Sequence, residues 1–441
     1  MFLCGSTSMV RWNMSENIAA LLASLLLMIA PIGPNQDGFN ATDFDACAYI
    51  DSVDAMICEL ESALGQGDAQ LAFRLSDVEM LDLMWNELRC AHMYACDGDV
   101  TFIKNLDGSL DVLIDIRYTV GYELMRALGA GPAYSYSAPD APLELESVDV
   151  DGLELTQRQR DTLERALEVL DELELDGLDA YERELAIHDW LVESVTYDDE
   201  ADDCQDAYGA LIGGRAHCMG YSDAFYLLGT LAGLDVNYIS GYAYGGGHAW
   251  NTVRLDGRSY FVDVTWDDED WGAPLHSYFN IPSPALYSSH SYADRHVPTD
   301  IAGKYDSNNY FFREGLTVET TSQAYAMMLD ALAAGKTRIQ LASDNSLELH
   351  DPSSELEAAL SERFGDESYM CYGSDMGGLN VYDVWLDGYD EYREEMYGDL
   401  FDDDYDDDYY YGDGDYDDES GLSDAGSDAD GVSDAPADEA A

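Results

Sequence analysis

The sequence predicts an α+β protein, with a helix behind Cys218 followed by an antiparallel hairpin, small α+β flanking domains and a disordered acidic tail. Three observations predict it. From Tyr221 the apolar residues Ala224, Phe225, Leu228 and Ala232 recur at helical spacing behind Cys218. The runs His248 to Leu255 and Arg258 to Val264 alternate with period two about the turn signal Asp256-Gly257. Beyond Asp387, aspartate and tyrosine replace the apolar residues that a core requires.

A chain of 441 residues, 46% hydrophobic, is long enough for two or three cores. Its 20 Lys+Arg stand against 90 Asp+Glu, a formal net charge of -70. Such self-repulsion excludes binding of nucleic acid or an anionic membrane through charge, and favours basic substrates or divalent cations. Adaptation to a salty or acidic niche accounts for the same bias.

In chain order, residues 1–37 read as a leader or signal-like segment. The run Ile18 to Ala30 is too short to span a bilayer comfortably and suits the apolar region of a secretory signal. Glu16 ahead of it, and the lack of a small-x-small cleavage site, leave an uncleaved N-terminal helix as the alternative. The protein is therefore expected to be secreted or at the cell surface, or cytoplasmic if the leader is no signal. The 8 Cys do not decide the compartment: Cys47, Cys58, Cys90 and Cys96 can form two disulfides or remain buried thiols.

Residues 41–128 form a small α+β domain. Ser76 to Glu79 reads as a capping box opening a helix through Met80, Leu81, Met84 and Leu88. Strands at Thr101 to Lys104 and Val112 to Val120 flank the turn Asp107-Gly108. Residues 129–142, rich in Gly and Pro, are a linker.

The central domain, residues 143–300, begins with a helix over Thr156 to Leu173 and a second that Asp179 caps and that runs to about Val195. His188 on the second helix reads as structural. Cys218, after Gly213-Gly214, stands at a helix start, where unpaired N–H groups and the helix dipole stabilise a thiolate. A two-residue loop at Asp256-Gly257 pairs Leu255 with Arg258, which makes His248 and Asp263 diagonal neighbours about 7 to 8 Å apart at the backbone. Asp263 then fixes the tautomer of His248, whose other nitrogen faces Cys218. No Cys-x-x-Cys pair supports zinc at Cys204, His217, Cys218 and His248, so neither metal nor organic cofactor is expected.

Ala207 to Leu211, Ala216 to Tyr221, His248 to Asn251 and Tyr260 to Asp267 together resemble the core of the transglutaminase-like superfamily, over roughly residues 180–290. Ala186 to Leu191 resembles the helix preceding the core in its bacterial branch, and Tyr278 to Ile281 with His290 and His296 resembles its closing segment. The resemblance implies a papain-like fold with a Cys218, His248, Asp263 triad and an acyl-enzyme on Cys218 resolved by water or an amine. The substrate would be a protein or peptide. It also implies an oxyanion donor beside the Cys218 N–H, for which Gln205 and Tyr208 are candidates. Trp250 and Trp266 are expected to wall the site. His217, where the family favours a small apolar residue, is expected to be a partly exposed side chain. The family includes inactive members, so a non-catalytic surface or binding protein is the alternative.

Residues 301–386 alternate helix (Ala324 to Ala334), strand (Arg338 to Leu341), helix (Ser354 to Phe364) and strand (Val381 to Trp385), a further α+β domain. Residues 387–441 form the acidic tail. Asp413, Asp415 and Asp417 mimic a calcium loop, but Asp418 replaces its glycine, leaving only diffuse divalent-cation binding. Oligomeric state is not legible.

Overall fold

The computed structural model describes residues 35–81, 95–129, 152–268, 274–292, 297–349, 351–365 and 369–387, without the side chains of 95–98. The leader before residue 35, most of the linker, the helix beyond Leu81 and the acidic tail lie outside these residues, as do the side chains of Cys4, Cys90 and Cys96. Among the described residues Cys47, Cys58, Cys204, Cys218 and Cys371 are free thiols. No helix among them is long and apolar enough to cross a membrane.

The N-terminal unit holds α1 (Gln36–Ala41), β1 (Ala48–Ile50), α2 (Val53–Gln66), β2 (Gln70–Leu75), β3 (Ala95–Lys104) and β4 (Leu110–Tyr118). Its sheet order is β1-β2-β4-β3, with β1 parallel to β2. Ser52 caps α2, whose Met56, Leu60 and Leu64 pack on Phe73, Val112, Ile114 and Ile116. Leu113, pointing the other way, lies under Phe39 and Phe44, so β4 is covered on both faces. Each such fully buried large apolar side chain contributes about 1.5–3 kcal/mol. Two expectations change. Asp77, not Ser76, accepts the amides of Glu79 and Met80, because its carboxylate is the stronger acceptor and Ser76 Oγ donates to it instead. Val120 is not in the strand: Thr119 caps α3 (Val120–Ala127), which leaves the N-terminal core and packs with the central one.

The central unit has α4 (Gln157–Glu172), α5 (Ala180–Ser194), β5 (Thr196–Tyr197), a π-helical turn at Gly209–Gly213, β6 (Arg215–Ala216) and α6 (Cys218–Leu231). It continues with β7 (Asp235–Ala243), β8 (Gly246–Leu255), β9 (Arg258–Val262), α7 (Val264–Asp267), α8 (Ser283–Leu286) and β10 (His290–Ser291). Capping boxes at Thr156/Gln159 and Asp179/Glu182 start α4 and α5. The antiparallel sheet β10-β7-β8-β9 carries α6 against one face through Ala249, Val253, Tyr260 and Val262.

Leu255 stands opposite Arg258, and Asp256 (φ 51) and Gly257 (φ 79) both take the left-handed conformation that a type I′ turn requires. The second strand stops at Val262, short of its expected end, because the Asp263 side chain turns to accept the Trp266 amide and caps α7.

The C-terminal unit contains α9 (Tyr310–Arg313), α10 (Thr321–Ala333), β11 (Arg338–Ser343), α11 (Ser354–Phe364), β12 (Met370–Asp375) and β13 (Asn380–Trp385), in a sheet ordered β11-β13-β12. Ala342, Leu379 and Val381 from this unit pack with Ile239, Trp250 and Phe261 of the central sheet. It shares a core with the central unit.

Candidate active site

Cys218 is the first residue of α6, and His217 is its N-cap: the imidazole Nδ1 accepts the Met219 amide at 3.1 Å, the task usually given to Ser or Asp. His217 is partly exposed, as expected, and carries this capping contact in addition. Since Nδ1 accepts, the neutral ring carries its hydrogen on Nε2, and the ring hydrogen-bonds the sulfurs of both Cys204 and Cys218. The loop bearing Cys204 is held here by His217 N–H donating to the Cys204 carbonyl at 3.0 Å. Gly220 is required in α6, since a Cβ there would stand 2.4 Å from the same carbonyl oxygen. Cys204, from a separate loop, therefore meets His217 and Cys218 at the start of α6.

His248 Nε2 lies 2.7 Å from Asp263 Oδ2, and the ring also hydrogen-bonds Cys218. With Nε2 on the carboxylate, Nδ1 is the atom left for the sulfur. Burial pushes the Cys218 thiol up, but the His248 charge and hydrogen bonds from His217 and His248 bring it down to about 6. Burial opposes a charge on His248, yet Asp263 and Cys218 raise it to about 10. Burial also opposes the Asp263 charge, while His248 and His290 hold this carboxyl well below the usual range. At neutral pH the arrangement is a thiolate–imidazolium pair backed by a carboxylate.

The remaining sequence candidates separate. Gln205 is exposed and follows Cys204, so it flanks the nucleophile loop. Tyr208 packs on the core with the Arg158 guanidinium 4.1 Å over its ring. Trp250 is 0% exposed and faces the C-terminal unit, so it cannot touch a substrate there; its ring lies 5.8 Å from that of His248 and braces it. Gly241, opposite His248, makes room for this ring: a Cβ would come within 2.7 Å of Trp250 Cη2. Trp266 does wall the site. It is half-buried, contacts His248 and His290, and is stacked on the outside by Tyr244, which is 83% exposed.

Sequence reasoning gave no role to His290, whose Nε2 lies 3.1 Å from the same Asp263 Oδ2. The only signal for it was its place in the segment resembling the family's end.

His188 is fully buried, between Asp189 (2.9 Å) and Asp267 (3.2 Å). His276 also reaches Asp189, at 2.9 Å, and stacks on Tyr310. The donor atoms of His188, Asp189 and His276, and those of His248, Asp263 and His290, lie close enough to surround a metal ion. Shared protons account for the approach in both cases, since each histidine lies within hydrogen-bond distance of the carboxylate of its cluster.

Residues 168–264 match the model of the Transglutaminase-like superfamily. The chain is 30% identical to the human kyphoscoliosis peptidase over 162 residues, 32% of this chain and 24% of that protein. With the mouse kyphoscoliosis peptidase it shares 32% over 102 residues, 19% of this chain and 15% of that protein. It thus spans a quarter or less of these relatives. Among solved structures, a candidate cysteine protease of Cytophaga hutchinsonii is 16% identical, with a TM-score of 0.24 over 45% of this chain and 66% of that one. A TGase is 13% identical, with a TM-score of 0.22 over 50% of this chain and 59% of that one.

Proposed function

Since residues 168–264 belong to the transglutaminase-like superfamily, we propose that the chain is a cysteine-dependent amide hydrolase or acyltransferase acting on proteins or peptides. The observation that carries this reading is the His248 ring bridging Cys218 and an ionised Asp263. The Cys218 thiolate attacks an amide carbonyl, forming a carbon–sulfur bond. The Cys218 amide, at the first helical position, has no intrahelical acceptor and is free to stabilise the oxyanion. His248 gives its Nδ1 proton to the departing amine as the carbon–nitrogen bond breaks. Water or a lysine amine then attacks the thioester, His248 takes up the proton, and the carbon–sulfur bond breaks to return the Cys218 thiolate. The apolar run Ile18 to Ala30 supports an extracytoplasmic location, which N-terminal sequencing of the native protein tests.

A fold retained for binding, without turnover, is favoured by one feature: Cys218 is only 9% exposed. Iodoacetamide labelling at graded pH, mapped by peptide mass spectrometry, separates the two. Turnover chemistry expects Cys218 to be alkylated with an apparent pKa of about 6, and this reactivity to vanish in His248→Ala. Slow labelling that ignores His248 would overturn the enzyme reading.

A further inference from the structure

Asp263 caps α7, and its Oδ2 serves two histidines rather than one. The second, His290, comes from the edge strand β10, which pairs with β7 through Ala243 and Tyr242, and it is 3% exposed. Its tautomer follows from its neighbours. An ionised carboxylate only accepts, so His290 Nε2 carries the hydrogen, and Nδ1 accepts from Ser289 Oγ at 2.8 Å. The Tyr278 hydroxyl lies 3.5 Å from that Ser289 oxygen. The chain of contacts from Tyr278 through Ser289 and His290 therefore ends on the carboxylate that orients His248.

Resting on the acyl-transfer reading above, we propose that His290 is a positioning residue: its Nε2–H shares Asp263 Oδ2 with His248, so the carboxylate aims the His248 ring at Cys218 without spending its whole charge on it. A buried carboxylate with His248 as its sole side-chain donor would bind the imidazolium more tightly, and a proton held that firmly is passed less readily to a departing amine. A second donor on the same oxygen competes with the first. His290 suits this task because burial and the adjacent His248 charge keep it neutral. Among the described residues, the ionisable groups facing the shared oxygen and its two histidines are these. His248 faces Cys218 and Asp263, and His290 faces Asp263, His248 and, through Ser289, Tyr278, which burial keeps protonated. The rings of Trp250 and Trp266 fill the remaining space around His290, at 4.9 and 4.3 Å.

Two substitutions in the full chain separate hydrogen bonding from packing. His290→Phe keeps a ring and removes the donor; His290→Gln keeps an N–H and removes the ring. In His290→Phe the His248 Nε2 proton should move further downfield in the proton NMR spectrum. The high-pH step of Cys218 alkylation, where His248 loses its proton, should rise by about one pH unit, the scale of one charge-assisted hydrogen bond. His290→Gln should restore both. Ser289→Ala, which frees His290 Nδ1, should shift both the same way by less, and it decides the matter if the phenylalanine variant does not fold. Unchanged His248 resonance and titration in folded His290→Phe, or in Ser289→Ala when the former does not fold, would reduce His290 to packing. The acyl-transfer reading fails by a different result, wild-type Cys218 labelling that ignores His248, and the resonance test stands without it.

Discussion

Two histidine–carboxylate networks are anchored at opposite ends of the four-residue helix α7, and their difference lies in what else they touch. At its start, Asp263 binds His248 and His290, and beyond His248 stands a sulfur. At its end, Asp267 binds His188, which continues to Asp189 and His276 and, among the described residues, reaches no sulfur. The residue types are the same, and each network is buried save for one partly exposed member, His248 in the first and Asp189 in the second. A histidine–carboxylate pair is thus chemically neutral information until a third group gives its free nitrogen something to act on. In the first network the polarised ring bears on a sulfur; in the second it braces the last turn of the helix that Asp263 caps.

Substitutions can break this contrast, and the largest effects belong to the first network. Asp263→Asn should leave a folded protein and reduce turnover of an amide substrate by about 10³- to 10⁴-fold, measured as kcat/KM, because the amide holds the wrong His248 tautomer. Next, His248→Ala should return the thiol to an ordinary pKa of about 8.5, so that alkylation of Cys218 at pH 6 slows about a hundredfold. Equal loss from His188→Ala in a folded protein would erase the distinction between the networks.

The second network should answer in stability. Asp267→Asn strands the buried His188 between unequal partners and should cost about 3 kcal/mol in urea unfolding, with Cys218 reactivity per folded molecule unchanged.

The smallest effects are pH-dependent. Burial opposes charge on His188, but Asp189 and Asp267 raise it from 6.5 to about 9. A folded pKa above the unfolded one means stability fully present below about 6.5 and lost as pH rises through about 9. Burial likewise raises Glu184 from 4.5 to about 8, so its contribution is present below about 4.5 and lost as pH rises through about 8. Thermal melts across this range should show a decline that His188→Gln flattens at its upper end and Glu184→Gln at its lower end.

Local rules made much of this legible from sequence. The Asp256-Gly257 turn set the register of β8 and β9, because only residues tolerating positive φ close a type I′ hairpin, and register alone brought His248 near Asp263. The apolar stripe beyond Thr156, the cap at Asp179 and the periodicity behind Cys218 announced α4, α5 and α6. The transglutaminase-like core could be named for the same reason: its motifs are short and contiguous. Strand β12 escaped because it is largely exposed and carries no apolar alternation. Helix α3 escaped because Val120 continues the strand pattern until Thr119 caps a helix.

Residue order by itself determined which side chains could form the nucleophile, base and orienting acid, since helix starts and hairpin register are local matters. Only the tertiary structure decided that Trp250 braces His248 from within the core, that Tyr208 stacks under Arg158, that His217 caps the nucleophile helix while touching two sulfurs, and that His290 shares a carboxylate with His248. These contacts join segments distant along the chain, and their geometry is set by packing against surfaces that no local pattern encodes.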